Sequence, residues 1–345
     1  MLCRLFLCAT RELGAGLEIL VTGGTGFLGR HLVRGLLERG HAVRLMGRNF
    51  VGVAGLLRSG AVPVRADLRE REAVISACRG VEAVFHVGAL SAPWGPARDF
   101  HDINVGGTAS VMSGCREHGV RRMVYVSSPS VVFDGRDHVN LREDTPYPRR
   151  FASVYSLTKK LGEDLVNAAG REGKLETVIL RPKAMFGPGD QSLLPRLVEV
   201  ARRKRLPRIG DGRNLVDLTY VENVVQALVL ALDSPSAPGK TYTITNGEHV
   251  PLWPTVRMVL RRTGLSDDLR PLPLPVALLI ARLMEIGGTL RGKEPLLTTY
   301  TVGILARTQT YDISAARRDL GYNPAVTVAE GIERTLGDFE QKKAA

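Results

Sequence analysis

The run Leu17-Glu18-Ile19-Leu20-Val21-Thr22-Gly23-Gly24-Thr25-Gly26-Phe27-Leu28-Gly29 decides the fold of this 345-residue chain. It begins as a short apolar strand, and Gly23, Gly26 and Gly29 fall where that strand passes into a helix. Glycines at such a junction let the backbone approach a pyrophosphate, and the N–H groups of the helix start point at it. The pattern predicts a dinucleotide-binding βα unit, with Phe27 and Leu28 in the first helical turn beside the ligand. Three glycines serving only as a turn would have no reason to coincide with the junction.

Working outward, apolar runs at residues 19–22, 42–46, 62–65, 83–87, 123–126 and 177–180 alternate with helical patterns at 29–39, 70–78, 104–118 and 153–169. That alternation predicts an α/β fold, a doubly wound Rossmann-type parallel sheet covered on both faces. Gly40, Gly119 and Gly170 follow three of the helices, where a left-handed end residue is favoured. After Pro182 the alternation turns irregular and prolines accumulate, so a smaller substrate-binding lobe is expected over 183–345. Parts of 215–245 read as a helix and a strand that return to the nucleotide-binding domain of 17–182.

Residues 1–16 read as an N-terminal extension outside the core, with an apolar stretch too short for a signal peptide. Cys3, Cys8, Cys78 and Cys115 have no metal-ligand spacing, which fits a reduced, cytoplasmic setting and predicts no metal. The formal charge of +12, most visible at Arg202-Arg203-Lys204-Arg205, comes with no nucleic-acid-reading module, so no nucleic-acid partner is expected. A basic cleft suits a phosphorylated cofactor or a carboxylate substrate instead. No apolar run reaches the roughly 20 residues of a bilayer span. Leu278, Leu279, Arg282, Leu283 and Ile286 mix apolar and charged positions at helical spacing, as in a lid over an apolar pocket or a peripheral membrane contact.

The second strand ends in Leu45-Met46-Gly47-Arg48-Asn49 with no carboxylate for the adenosine ribose. Gly47 leaves room for a 2′-phosphate and Arg48 can pair with it, so NADP(H) is favoured over NAD(H). Asp67 and Leu68 after the third strand are expected at the adenine, Gly88 and Ala89 after the fourth at the cofactor's backbone, and Pro182 beside it.

Tyr155 and Lys159 stand four residues apart, on one face of a helix. Reducing a ketone needs a proton donor, and a tyrosine, with a free pKa of about 10, suits that role if a nearby cation favours its phenolate. Lys159 is expected to supply that charge. Ser128, or its neighbour Ser127, would hold the carbonyl oxygen, since a strand points only one of the two into the cleft. Asn104 is expected to fix a backbone group near the lysine or to cap a helix, and His86 to be a hydrogen-bonded core residue.

With the glycine motif, the Ser128, Tyr155, Lys159 set, Arg181-Pro182 and Phe186-Gly187-Pro188-Gly189-Asp190, the chain resembles an extended short-chain dehydrogenase/reductase of the epimerase/dehydratase superfamily. Ser127-Ser128-Pro129-Ser130-Val131-Val132-Phe133-Asp134-Gly135 is similar to the 3β-hydroxysteroid dehydrogenase branch and its bacterial relatives that reduce 2-alkyl-3-oxoalkanoates. The resemblance implies Tyr155 as acid, Lys159 as pKa modulator and ribose anchor, Ser128 as carbonyl holder, and a homodimer paired through helices 104–118 and 153–169. It implies reduction of a β-keto acid with NADPH, its small hydrophobic, carboxylate-bearing substrate touching Trp94, Ser130 and Lys183. Alternatives are a steroid or sterol dehydrogenase, a nucleotide-sugar epimerase, which would want the carboxylate that Gly47 replaces, and a non-catalytic dinucleotide sensor.

Overall fold

The computed structural model describes residues 16–203 and 206–344; the segment before Gly16, with Cys3 and Cys8, and the basic pair Lys204-Arg205 lie outside the described residues. Seven strands form the central sheet: β1 (Glu18–Thr22), β2 (Ala42–Gly47), β3 (Val62–Arg65), β4 (Ala83–His86), β5 (Arg122–Val126), β6 (Glu176–Pro182) and β7 (Thr241–Ile244). All neighbours pair in parallel in the order β7-β6-β5-β4-β1-β2-β3. The order reverses between β1 and β4, which opens a crevice at the carboxyl ends of the strands.

Side-chain alternation feeds two apolar layers. Ile19 and Val21 of β1 and Val124 and Val126 of β5 face one of them, with helix α1 (Phe27–Leu37). Leu20, Met123 and Tyr125 face the other. That second layer is closed by α2 (Arg71–Ala77), α3 (Gly107–Glu117) and α4 (Val154–Arg171). Burial on both faces explains why these strands read as continuous apolar runs.

Residues 215–245 divide between the two parts of the molecule. Leu215–Asp217 joins a small four-stranded sheet with His249–Pro251, Gln309–Tyr311 and His138–Leu141. Helix α5 (Val221–Asp233) packs on α1, and β7 extends the central sheet beside β6. His138–Leu141 comes from the connection between β5 and α4, so the first half of the chain also contributes to the smaller sheet.

Gly40 and Gly119 end their helices in the left-handed region, but α4 runs past Gly170 to Arg171 and the left-handed residue is Gly173. Gly170 is small for a different reason: a Cβ there would lie 2.3 Å from Thr177 Oγ1 on β6.

Candidate active site

The glycine loop is held open by contact rather than by a cap. Gly23 has φ +65°, and a Cβ on it would lie 2.6 Å from Gly88 Cα, so the loops after β1 and β4 touch backbone to backbone. Helix α1 starts after Gly26 with no side-chain cap and no acidic residue in its first turn, leaving N–H groups free to receive an anion. Leu68 packs between Gly88 and Gly107 at the same crevice.

At the end of β2, a Cβ on Gly47 would lie 2.7 Å from Thr25 Cγ2, so a larger residue there would need the Thr25 side chain to turn aside. The Arg48 side chain is 71% exposed and its ion-pair partner is Asp67 at 3.7 Å. Asp67 is already engaged: Arg69 Nε and Nη2 donate to its carboxylate at 3.0 and 2.8 Å. Arg69 holds its pKa down at about 2, against a smaller effect of burial.

Asn104 lies in a π-helical turn, His101–Gly106, which leads into α3. Its Oδ1 accepts from Leu90 N–H at 2.7 Å, and its Nδ2 donates to Leu90 O at 3.2 Å and Thr158 Oγ1 at 3.1 Å. The amide thus ties the loop after β4 to the residue preceding Lys159, and it does not cap a helix. His86 is buried between Thr22 and Thr108 hydroxyls. Burial, aided by the nearby Lys159 charge, drives its pKa to about 3, so it stays neutral.

Alternation separates the two serines. Ser128 sits in extended backbone before a 3-10 turn, its Oγ accepting from Ser130 N–H at 3.2 Å, and its hydroxyl faces the Tyr155 phenol. Ser127 faces the other way, toward the buried carboxylate of Glu163. Ser91, which no motif in the sequence marks, also meets the Tyr155 hydroxyl. Burial raises the Tyr155 pKa, and the Ser91 and Ser128 hydrogen bonds pull it partly back.

Lys159 is 2% exposed. Its Nζ donates to Val126 O at 2.6 Å and lies 4.2 Å from the centre of the Tyr125 ring. Burial lowers its pKa to about 7 although Glu163, one turn on, favours the charge. The ammonium thus rests on a backbone carbonyl, while the hydroxyls that face the Tyr155 phenol are those of Ser91 and Ser128. Behind it, Arg181 Nε and Nη2 donate to Glu163 at 2.8 and 2.7 Å, and Tyr147 Oη donates to the same carboxylate at 2.6 Å. Burial opposes the Glu163 charge, yet Arg181 and the hydroxyls outweigh it and its pKa falls.

Tyr155 lines a cavity of about 920 Å³ together with Trp94, Arg282, Ile286, Thr289 and Tyr300. Tyr300 faces Ser130 and Ser156 and lies near Tyr155; burial raises its pKa. Of the three expected substrate residues, Trp94 alone lines this cavity. Ser130 is buried behind it beside Tyr300. Lys183 Nζ donates to Gln309 Oε1 at 2.8 Å and lies over the Tyr311 ring, with burial lowering its pKa to about 8.

The crevice and the Ser128, Tyr155, Lys159 cluster lie within residues 20–275, the segment that matches the 3-beta hydroxysteroid dehydrogenase/isomerase family, and residues 282–300 complete the cavity wall. The chain belongs to that family. As a member it is an NAD(P)-dependent oxidoreductase acting on CH–OH groups. It is 40% identical over 326 residues to the 2-alkyl-3-oxoalkanoate reductase of Stenotrophomonas maltophilia (strain K279a), covering 92% of this chain and 98% of that protein. It is 39% identical over 352 residues to the 3beta-hydroxysteroid-dehydrogenase/decarboxylase isoform 1 of Arabidopsis thaliana, covering 94% and 80%. Among solved structures, that of gox2253 superposes with a TM-score of 0.79 at 27% identity, covering 94% of this chain and 98% of the other.

Proposed function

We propose that this family member reduces a 2-alkyl-3-oxoalkanoate to the 3-hydroxy acid with NADPH. The observation that carries the reading is the placement of the Tyr155 phenol, which lines the cavity while its hydroxyl meets those of Ser128 and Ser91. The reduced nicotinamide, when bound, supplies hydride to the carbonyl carbon. Ser128 and Ser91 orient the carbonyl oxygen, and Tyr155 gives its proton to that oxygen, so C=O becomes CH–OH and a phenolate remains. The phenolate strengthens the hold of Lys159 on its own proton, so the pair titrates together.

The uncapped start of α1 is suited to hold the pyrophosphate, and the loosely paired Arg48 to turn onto a 2′-phosphate. With Gly47 in place, no carboxylate stands there to oppose a 2′-phosphate, which supports NADP(H). The relatives' names supply the substrate class. A 2-alkyl-3-oxoalkanoate is a β-keto acid, and dehydrogenation coupled to decarboxylation is the chemistry of a ketone formed β to a carboxylate. Lys183 is committed to Gln309, whereas Arg282 is the cation among the described residues lining the cavity, so it is the better partner for the carboxylate. A homodimer through α3 and α4 is part of the same proposal.

The test incubates purified protein and NADPH with 2-alkyl-3-ketoacids, sterol ketones and UDP-sugars, following loss of the reduced cofactor, and repeats it with Tyr155→Phe. Ketoacid turnover that falls by at least a thousandfold in the variant, with NADPH binding kept, supports the reading. Turnover with sterol ketones alone, which a cavity of about 920 Å³ has room for, or with UDP-sugars alone, overturns it.

A further inference from the structure

Tyr300 is a second phenol in the wall of the substrate cavity, and no step of the proposed reduction uses it. It comes from the smaller lobe. Helix α6 (Leu274–Arg291) lays Arg282, Glu285, Ile286 and Thr289 along the cavity, and helix α7 (Thr299–Ala306) follows after a short loop. The start of α7 is held twice: Thr298 and Thr301 form a reciprocal capping box, and Glu285 Oε1 accepts from the Thr299 N–H at 2.8 Å and from its hydroxyl at 3.0 Å. Tyr300 is thereby planted in the first turn of a helix fixed to the cavity wall. Its ring packs edge-on against Phe133 with centroids 6.2 Å apart. Gly303, three residues on, brings α7 so close that a Cβ there would lie 3.1 Å from the same Phe133 ring.

The Tyr300 hydroxyl reaches the nucleotide-binding domain, where it faces Ser130 and Ser156. Both serines adjoin the catalytic groups. Ser130 donates its N–H to Ser128 Oγ at 3.2 Å, and its own buried hydroxyl, otherwise unpartnered among the described residues, faces the Tyr300 phenol. Ser156 follows Tyr155 in the first turn of α4, and its hydroxyl lies 2.9 Å from that of the N-cap, Ser153. Burial keeps the Tyr300 phenol protonated at neutral pH, so it has a proton to offer these oxygens. We propose that Tyr300 is a positioning residue: from the substrate lobe it fixes both the turn that orients Ser128 and the start of the helix that carries Tyr155. This rests on the ketone reduction proposed above. Packing on Phe133 requires only the ring, whereas the hydroxyl stands where the Ser128 turn and α4 meet. Since Glu285 ties α7 to the wall that bears Arg282, the catalytic hydroxyls are set by the same pair of helices that receives the substrate.

Tyr300→Phe keeps the ring and its packing, so it should retain wild-type circular dichroism. The whole protein, this variant, Ser130→Ala and the double variant are assayed with NADPH and whichever ketone the wild type turns over. Expected in Tyr300→Phe is a kcat lower by roughly a hundredfold, the usual result of misplacing reacting groups by about 1 Å, with KM for the ketone and the dissociation constant of NADPH within about twofold of wild type. NADPH deuterated at the transferred hydrogen should give a larger isotope effect in the variant, because hydride transfer becomes the slowest step. The double variant should be no slower than the slower single one, since both remove the same contact. Hydrogen exchange of the NADPH complex, read by mass spectrometry with no ketone present, should quicken in residues 127–133 and 153–158 and nowhere else. Full kcat in Tyr300→Phe, losses that multiply in the double variant, or unchanged exchange in both segments overturns the proposal. Exchange that quickens throughout the chain also overturns it, because the hydroxyl would then be a general stability contact. The exchange measurement needs no turnover, so its failure is distinct from failure of the proposed reaction.

Discussion

Replacing Lys159 with methionine should abolish turnover and yet make the cofactor-free protein more stable at mildly acidic pH. The lysine pKa falls from 10.5 to about 7 on folding, chiefly through burial. Between those values the unfolded chain binds the extra proton, so stability rises with pH through this window and the cost is complete below the folded pKa. At 1.36 kcal/mol per unit, the buried charge costs about 5 kcal/mol at pH 6 and about 2 kcal/mol at pH 9. Methionine removes that cost but leaves Val126 O without its donor, a loss of about 1–3 kcal/mol at either pH. The variant should therefore gain roughly 2–4 kcal/mol over wild type at pH 6 and close to nothing at pH 9. Urea unfolding followed by circular dichroism at the two pH values, without dinucleotide, measures both gaps. A gap that is the same at pH 6 and pH 9, or a variant less stable than wild type at pH 6, refutes the reasoning.

Three further changes probe other parts of the site. Arg181→Met strands the fully buried Glu163 carboxylate and should cost about 3–5 kcal/mol in the same unfolding assay, a loss that adding Glu163→Gln should partly restore. Arg48→Ser should raise KM for NADPH about tenfold with little change for NADH; equal loss with both cofactors would remove Arg48 from the 2′-phosphate site. Asn104→Ala releases Leu90 and the loop bearing Ser91 from α4, and should lower kcat by about a hundredfold while the dissociation constant of NADPH, read by fluorescence, moves only slightly.

What could be read from the sequence is what local spacing determines. The glycine run lies at a strand-to-helix junction, and Tyr155 and Lys159 lie one turn apart on one helix, so neither needs the rest of the fold to be recognised. The parallel order of strands follows from alternation because both faces of each strand are buried. Ser91 and Tyr300 were not legible: they reach Tyr155 from a loop and a helix far away in the chain, and isolated serines and tyrosines carry no pattern. Gly170 had the composition of a helix end and the role of a close contact with Thr177. Ser127 and Ser128 could not be told apart until the Glu163 carboxylate fixed which face was which. Lys183 looked like a substrate cation because burial and its engagement by Gln309 are tertiary facts. The signal for Glu163 was present, four residues after Lys159 on the same face as Tyr155, and the periodicity alone could have found it.

That missed residue explains how an unpaired ammonium survives in the core. Tyr155, Lys159 and Glu163 form a row on α4, and Arg181 on β6 closes its far end. A bidentate arginine, with Tyr147 as third donor, keeps Glu163 ionised without neutralising it by proton uptake. The carboxylate then offers Lys159 a field, while the ammonium's own hydrogen bond goes to Val126 O. Were Lys159 itself bonded to Glu163, its charge would be spent locally and its pKa would stay high. Holding it against a neutral carbonyl instead leaves it near pKa 7; in the proposed reaction that is where a new negative charge on Tyr155 shifts its protonation most. The packing of β6 against α4 therefore sets the titration of the row, and the stability given up at Lys159 is the counterpart of that responsiveness.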